Sequence, residues 1–290
     1  MSSRRYAQVV AGTTSATRFA SLCRSHYWVS SSYRRCLQAQ SPYDPTQLDA
    51  GHALAPSSRA HPFGTDAFGR DVLSRLIYGS RASLEISFGS TAVACVVGTT
   101  LGLLGGYFSG LMEIATVRIA DIVLCFPPIV LALLVVTLLG PGVATLVLVI
   151  AILYVPTFAR ITYGQVLSTK RMEYVEAMHA VGAGHLRILL RTILPNVSAP
   201  IIVQCSLTMA AAILLESGLS FLGLGVVPPT PSWGFMIGEA RGYMLQDPWA
   251  LVWPCLALVV TIMAMNSFGD VLQDWLDPRL RPRAAARRTG

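Results

Sequence analysis

The sequence contains few charged residues. Only 13% of its 290 residues are Asp, Glu, Lys or Arg, whereas 53% are hydrophobic and the mean hydropathy is +0.55. Water-soluble domains carry about 25% charged residues, so this composition excludes an ordinary soluble protein. Several apolar runs reach about twenty residues, the length that an α-helix needs to cross a bilayer. We therefore predict an all-α integral membrane protein.

Side-chain patterns for catalysis or metal binding are also missing. The six cysteines form no C-x-x-C pair, and the five histidines form no pair spaced for a metal on one helix face. No Ser-His-Asp set can be assigned. The phosphate-binding motif G-x-x-x-x-G-K-[ST] is missing too, because the single lysine, Lys170, follows Thr169. We expect no catalytic residue, no metal and no cofactor on this chain.

The positive charge does not indicate nucleic acid. The net charge is +7, but the basic residues form no stripe with interleaved aromatic residues. They lie beside apolar runs and in the C-terminal tail, as the positive-inside rule describes for the cytoplasmic loops of membrane proteins.

Five apolar runs are predicted to span the membrane. In the second, Pro127 and Pro128 lack amide hydrogens and predict a kink or break. Arg118 and Asp121, three residues apart in its first turns, are expected to pair. Glycines in and after the first span predict close helix contact; they are Gly89, Gly98, Gly102, Gly105 and Gly106. The runs cover about 84–104, 115–139, 143–163, 197–221 and 249–268.

Basic residues predict the orientation of the spans. The insertion 171–196 and the tail 276–290 are rich in arginine, whereas the loop 223–248 contains one. The positive-inside rule therefore places the insertion and the tail in the cytoplasm and the loop outside. Counting the spans backwards puts residues 43–82 outside, although residues 1–42 contain no apolar run long enough to cross the bilayer.

The segment 43–82 is predicted to have two parts outside the membrane. Proline and glycine interrupt residues 43–64 too often for a helix, so we expect an irregular loop. In residues 65–81, apolar and charged residues alternate at helical spacing, which predicts either a short amphipathic helix at the membrane surface or an ordinary solvated helix that leads into the first span. Its apolar positions are Val72, Leu73, Leu76 and Ile77. Residues 83–275 then form the membrane domain.

The insertion 171–196 predicts two short helices around a hinge. Glu173 and Glu176 fall in the first turns of the first helix, where carboxylates suit the helix dipole. Gly182 ends this helix, because glycine readily adopts the left-handed conformation of a C-cap. A second short helix then leads to Pro195 at the start of the fourth span. The pattern suits contact with a cytoplasmic partner, and it equally suits a simple connection between spans.

The same insertion resembles the EAA loop of the membrane subunits of binding-protein-dependent ABC importers. The spacing from Glu-Ala through Gly to Leu-Pro matches, and a methionine stands where the family has a second alanine. The segments TDAFGRDVLSRLIYGSR, ILPN and LLESGLSFLGLGVVPPTPSWG are similar to the dipeptide/oligopeptide/nickel group, specifically its C-type permease subunit, over about residues 41–283. The motif residues are Glu176, Ala177, Met178, Gly182, Leu194 and Pro195.

The resemblance implies a MetI-like permease bundle in a prokaryotic inner membrane. The family has six spans and this chain shows five, so the family's first span, expected within residues 1–42, is absent. We hypothesise that this N-terminus is frameshifted, mis-started or degenerate. The implied partners are a B-type permease subunit in a heterodimer, two cytoplasmic ATPase subunits that hold ATP-Mg, an extracytoplasmic substrate-binding protein and membrane lipid.

The resemblance also assigns roles to residues. The EAA helix would dock on an ATPase subunit and couple ATP use to transport, with Gly182 as its hinge; the coupling residues are Glu173, Glu176, Ala177, Gly182, Leu194 and Pro195. The implied function is ATP-driven import of di- or oligopeptides. Nickel or another small solute is the alternative substrate.

Two further residues are candidates on the outer side. Glu216 lies near the outer end of the fourth span, where it would face the pathway, anchor the following SFLG turn, or make local hydrogen bonds. In the loop 223–248, Trp233 and Tyr243 are candidate contacts for a binding protein.

Other classes of membrane protein lack their signatures here. A secondary transporter places ionisable residues near mid-membrane and shows inverted repeats, and neither is visible. A channel filter motif and the side chains of a membrane enzyme are missing too. The secondary transporter is the less favoured alternative.

Overall fold

The computed structural model describes residues 41–108 and 110–276, which fold into helices joined by turns and loops. The N-terminal segment predicted for residues 1–42 and the tail predicted for 276–290 lie almost entirely outside the described residues. The helices are α1 Val72–Tyr107, α2 Leu111–Leu124, α3 Pro128–Leu139, α4 Val143–Thr169, α5 Glu173–Ala180, α6 His185–Ile188, α7 Leu194–Phe221, α8 Trp233–Ala240 and α9 Trp249–Leu276.

Four helical runs in the described part of the chain are long and apolar enough to cross a membrane. They are α1, α4, the run from α6 through α7, and α9. α2 and α3 make a fifth candidate, bent by 90°. The bend confirms the break predicted at Pro127 and Pro128. Pro128 begins α3, a position at which the missing amide hydrogen costs little.

α1 is longer than the sequence predicts. Asp71 caps it by accepting a hydrogen bond from the Ser74 backbone N–H at 2.7 Å, and the helix then continues for 36 residues. The prediction of a separate amphipathic helix in residues 65–81 is therefore wrong, whereas the alternative, a helix that leads into the first span, is confirmed from Val72 onwards. Residues 65–71 form turns, and the remainder belongs to α1. The sequence pattern changes within one helix because α1 passes from a polar surface into an apolar interior.

Glycines let α1 lie very close to α4. A Cβ atom on Gly98 would stand 2.6 Å from the Val155 carbonyl oxygen, and one on Gly102 would stand 2.5 Å from the Ala159 carbonyl oxygen. Both distances are shorter than van der Waals contact, so a side chain has no room there. The predicted close helix contact is thus confirmed at these glycines, whereas a Cβ on Gly89 would meet only ordinary contacts at 3.4 Å.

The loop 223–248 contains α8, a helix that the sequence did not predict. Ser232 caps it by accepting a hydrogen bond from a backbone N–H at 3.3 Å. Gly234 and Gly238 make α8 hard to predict from the sequence, because glycine lowers helix propensity. In the structure they let α8 approach the end of α7: a Cβ on Gly234 would lie 2.3 Å from the Ser217 carbonyl oxygen.

The predicted pair of Arg118 with Asp121 is also corrected. The Asp121 carboxylate accepts a hydrogen bond from the guanidinium of Arg160, which reaches it from α4. Helical spacing permits a pair within α2, but a long side chain on the facing helix makes the contact instead.

Buried apolar residues hold the helices together in separate clusters. One cluster joins α1, α3, α4 and α7, and a second joins α1 and α4 to α5 and α6. Val175 of α5 and Ile188 of α6 are 1% and 0% exposed within the second cluster. The bundle has two ends, which we call the Arg75 end, with residues 41–71 and α8, and the Tyr107 end, with α5 and α6.

Candidate functional site

At the Tyr107 end, residues 173–193 form what we call the hinged hairpin, in which α5 and α6 flank Gly182. Glu173 and Glu176 lie in the first turn of α5, where their carboxylates stabilise the positive end of the helix dipole. Both are exposed, and so is Ala177. These three predicted site residues therefore lie on the open surface of one short helix.

The hinged hairpin also exposes apolar side chains. Tyr174, Val181 and Leu186 are 43%, 78% and 69% exposed. Several exposed apolar side chains on one short element suit a surface that contacts another protein or lipid. The exposed surface of the hairpin is thus both acidic and apolar. Val175 and Ile188, on its buried side, belong to an apolar cluster with residues of the membrane spans.

Gly182 ends α5 in the way that the sequence predicts. Its φ is +76°, its own N–H donates to the His179 carbonyl oxygen at 2.9 Å, and the Ala183 N–H donates to the Met178 carbonyl oxygen at 3.1 Å. These two bonds are the Schellman pattern that satisfies the last carbonyl groups of a helix. A Cβ on Gly182 would meet nothing within 4 Å. Backbone conformation, and not lack of space, therefore favours glycine here.

The second arm of the hairpin continues into the membrane. α6 continues through one π-helical turn, Leu189–Ile193, into α7, so that His185–Phe221 is one helical run of 37 residues. The predicted second short helix is therefore not separate from the span. In this π-helical turn the Leu194 N–H donates a hydrogen bond to the carbonyl oxygen of Leu189, five residues earlier. Pro195 follows this turn and has no N–H to donate, which explains why the regular α-helical hydrogen bonding is interrupted here.

The predicted coupling residues are thus only partly brought together. Leu194 packs against the same apolar cluster as the hairpin, and this cluster includes Val175 and Ile193. Pro195 is exposed one residue further along.

The sequence did not identify Tyr107 as a functional candidate. Its hydroxyl group lies 2.8 Å from His185 Nδ1 and 3.5 Å from His179 Nε2. The Lys170 ammonium donates to the Gly106 carbonyl oxygen at 2.7 Å. An open cavity of about 450 Å³ lies among these groups. Nothing in the sequence spacing signals the cluster, because Tyr107 is 72 residues from His179.

No group of three or more His, Cys, Asp or Glu side chains in residues 41–108 and 110–276 could hold a metal ion. The expectation from the sequence that this chain holds no metal was based only on the spacing of its histidines and cysteines.

At the Arg75 end, Glu216 of α7 is completely buried. The Ser220 hydroxyl donates to its Oε1 at 2.7 Å, and the Ser217 hydroxyl lies 3.4 Å from its Oε2. The Ser220 oxygen in turn accepts from the Val226 N–H at 3.4 Å, beyond the SFLG turn. The geometry therefore favours the anchoring and local hydrogen-bonding roles for Glu216 over an open position on a pathway.

Trp233 is buried as well, with 4% exposure, and its indole N–H donates to the Leu76 carbonyl oxygen at 3.0 Å. The prediction of Trp233 as an outer-face contact is corrected accordingly: this side chain joins α8 to α1. Tyr243 is half-buried nearby. Burial and the negative charges of Asp66 and Glu239 raise the pKa of the Tyr243 phenol to about 12.

Four charged side chains form a network at the same end. Arg75 and Asp66 are 2% and 3% exposed and contact each other, and a second guanidinium, that of Arg70, donates to Asp66 at 2.7 Å. Glu239 of α8 accepts from Arg75 at 2.6 Å and from Arg70 at 2.9 Å. Two positive and two negative groups therefore balance, and they connect the loop before α1, α1 itself and α8. We call this set the ionic network.

Comparison with known proteins gives a consistent result. Residues 98–282 match the family described as binding-protein-dependent transport system inner membrane component. The chain is 39% identical over 246 residues to the dipeptide transport system permease protein DppC of Haemophilus influenzae, covering 83% of each chain. It is 42% identical over 243 residues to the glutathione transport system permease protein GsiD of Pectobacterium atrosepticum, covering 84% of this chain and 79% of that protein.

A further relative and a solved structure extend the comparison. The di/tripeptide transport system permease protein DppC of Pseudomonas aeruginosa is 41% identical over 249 residues, covering 84% of this chain and 82% of that protein. The fold is similar to a chain of the MetNI methionine ABC transporter in an inward-facing conformation, with a TM-score of 0.59 and 18% identity over 70% of this chain and 96% of that chain. At this identity the structure supports the fold alone.

Proposed function

The chain belongs to the family of binding-protein-dependent transport system inner membrane components and is a multi-pass permease subunit of an ABC importer; from this premise we propose that it imports small peptides and is driven through the hinged hairpin. The observation that carries the proposal is the hairpin itself, an exposed acidic and apolar helix that ends at Gly182 with φ +76°. An exposed helix with apolar and acidic side chains offers a contact surface that a simple connection between spans does not require.

The proposed substrate class is di- and tripeptides. It is supported by relatives named for dipeptides, di/tripeptides and glutathione, which are 39–42% identical to this chain. Glutathione is itself a tripeptide, so these names share one chemistry: a short chain with amide groups and charged ends.

In the proposed arrangement the Tyr107 end lies in the cytoplasm, in keeping with Lys170, Arg171, Arg187 and Arg191 near the hairpin. α5 docks there on one of two ATPase subunits, which hold ATP and magnesium. Glu173, Glu176 and Ala177 contact the ATPase, and Gly182 lets α5 tilt relative to the run that begins at α6. A second permease subunit completes the membrane part, and a binding protein delivers substrate at the Arg75 end.

The test compares Gly182→Ala with Gly184→Ala in the assembled complex. A non-glycine residue in the left-handed conformation costs about 1–2 kcal/mol. The free Gly182→Ala hairpin can relieve this strain by leaving the conformation of α5 that docks, so ATPase association should weaken about five- to thirty-fold. Gly184 has φ −66° and free space around its Cβ position, so Gly184→Ala should bind normally. Association is measured by titrating the ATPase onto the permease in nanodiscs.

Normal ATPase affinity in the Gly182→Ala complex would refute the coupling role of the hairpin. The substrate class is tested separately, by isothermal titration of the cognate binding protein with dialanine, glutathione and nickel ions. Binding of nickel but of neither peptide would refute the peptide assignment.

A further inference from the structure

Tyr107 is the last residue of α1 and contacts both arms of the hinged hairpin. Its hydroxyl lies within hydrogen-bond reach of His185 Nδ1, at 2.8 Å, and of His179 Nε2, at 3.5 Å. Its ring stacks on His179 with the planes 12° apart and meets His185 edge-on. One side chain therefore touches the last turn of α5 and the first residue of α6, on the two sides of Gly182.

The chemistry of the three groups suits a bridge. A phenol has one donor hydrogen and also accepts, and a neutral imidazole has one donor and one acceptor nitrogen. Tyr107 can thus donate to one ring and accept from the other at once. Lys170, Arg171 and Glu176 line the same cavity, and the Lys170 bond to Gly106 fixes the neighbouring end of α4 to α1.

α1 is long enough to connect the Tyr107 bridge with the Arg75 end of the bundle. With 36 residues it is about 54 Å long, and Gly98 and Gly102 press it against α4. Its opposite end holds Arg75 in the ionic network, and the Leu76 carbonyl accepts the Trp233 indole N–H of α8. A continuous helix therefore connects the two histidines to the loop and helix of the Arg75 end.

We propose that Tyr107 is a positioning residue that couples the hinged hairpin to α1. When the hairpin tilts at Gly182, the phenolic bridge pulls the end of α1, and α1 passes the movement to the Arg75 end. This inference rests on the proposed docking of an ATPase on α5. It adds a specific route from that docked helix to the other side of the bundle.

The test is Tyr107→Phe in the complete complex, measured by hydrogen exchange of the peptide covering residues 63–80. In the wild type, trapping with ATP and vanadate should change the exchange rate of that peptide. Tyr107→Phe keeps the ring and loses the hydroxyl, so we expect this ATP-dependent change to shrink about three- to tenfold, as loss of one hydrogen bond allows. ATPase affinity should stay as in the wild type, because the docking surface of α5 is unchanged.

The matched control is Tyr163→Phe. It also removes one phenolic hydrogen bond, 2.6 Å from Tyr163 to Glu113, but between α4 and α2. It should leave the ATP-dependent exchange of residues 63–80 intact. His185→Ala and the double variant with Tyr107→Phe complete a cycle, in which the double variant should lose no more than either single one.

Several results would overturn the role of Tyr107. They are an unchanged exchange response in Tyr107→Phe, no response in the wild type, an equal loss in Tyr163→Phe, or losses that multiply in the double variant. If Tyr107→Phe yields little protein, His185→Phe tests the same bridge, because it keeps a ring and loses both ring nitrogens. If the Tyr107→Phe test fails while Gly182→Ala weakens ATPase binding, the bridge is refuted and the proposed function stands. Normal ATPase binding in Gly182→Ala would refute the proposed function itself.

Discussion

The ionic network makes Arg75 the residue whose loss should most destabilise the Arg75 end. The change Arg75→Gln removes one of two guanidinium groups and leaves two carboxylates facing one remaining cation. Asp66 is 3% exposed, so water cannot replace the missing partner. Breaking a buried ion pair from one side lowers stability by about 3–5 kcal/mol. Because Arg70 still contacts both carboxylates, we expect about 3 kcal/mol.

The assay is thermal unfolding of the detergent-solubilised complex, followed as the loss of monodisperse protein after heating. Arg59→Gln is the matched control, since Arg59 lies exposed in the same segment before α1. Arg75→Gln should lower the apparent melting temperature by several degrees, and Arg59→Gln should leave it unchanged. A double change of Arg75→Gln with Glu239→Gln restores charge balance and should be less destabilising than the sum of the single changes.

Equal melting temperatures for Arg75→Gln and Arg59→Gln would refute this reasoning. So would full additivity of the Arg75 and Glu239 changes, because residues in one network must show an interaction energy. Either result would mean that the network is hydrated enough to behave as a surface ion pair, which contributes about 0–1 kcal/mol.

Two further predictions concern packing and pH. Gly102→Ala places a Cβ 2.5 Å from the Ala159 carbonyl oxygen and should destabilise the chain by about 1–3 kcal/mol in the same thermal assay; Gly164→Ala, with free space, should be neutral or slightly stabilising. Since the pKa of Tyr243 is raised to about 12, against about 10 in an unfolded chain, its contribution to stability is complete below pH 10 and falls as the pH rises towards 12. The stability difference between wild type and Tyr243→Phe should change in that window and stay constant below it.

The features predicted correctly from the sequence are those that short stretches determine. Pro127 and Pro128 remove backbone donors wherever they occur, so they predict the bend between α2 and α3 without knowledge of the neighbouring helices. Gly182 similarly ends α5 by its own backbone conformation. The apolar runs predict the spans because the bilayer thickness sets one required length.

The features that were missed depend on residues far apart in the chain. Arg75 and Glu239 are separated by 164 positions, and Tyr107 and His185 by 78. No periodicity connects such pairs, since packing of the completed bundle brings them together. α8 was missed for a related reason: Gly234 lowers its local helix propensity, and its contact with α7 supplies the compensation.

The right-angle bend between α2 and α3 bears on how the chain enters the bilayer during synthesis. With 14 and 12 residues, these helices extend about 21 Å and 18 Å, whereas the hydrocarbon core is about 30 Å thick. Neither helix alone completes a crossing. Ala132 and Val136 of α3 are 0% exposed, in a cluster with residues of α4 and α7 that are translated after them. The contacts that bury α3 in this cluster can therefore be complete only after α4 and α7 have been synthesised.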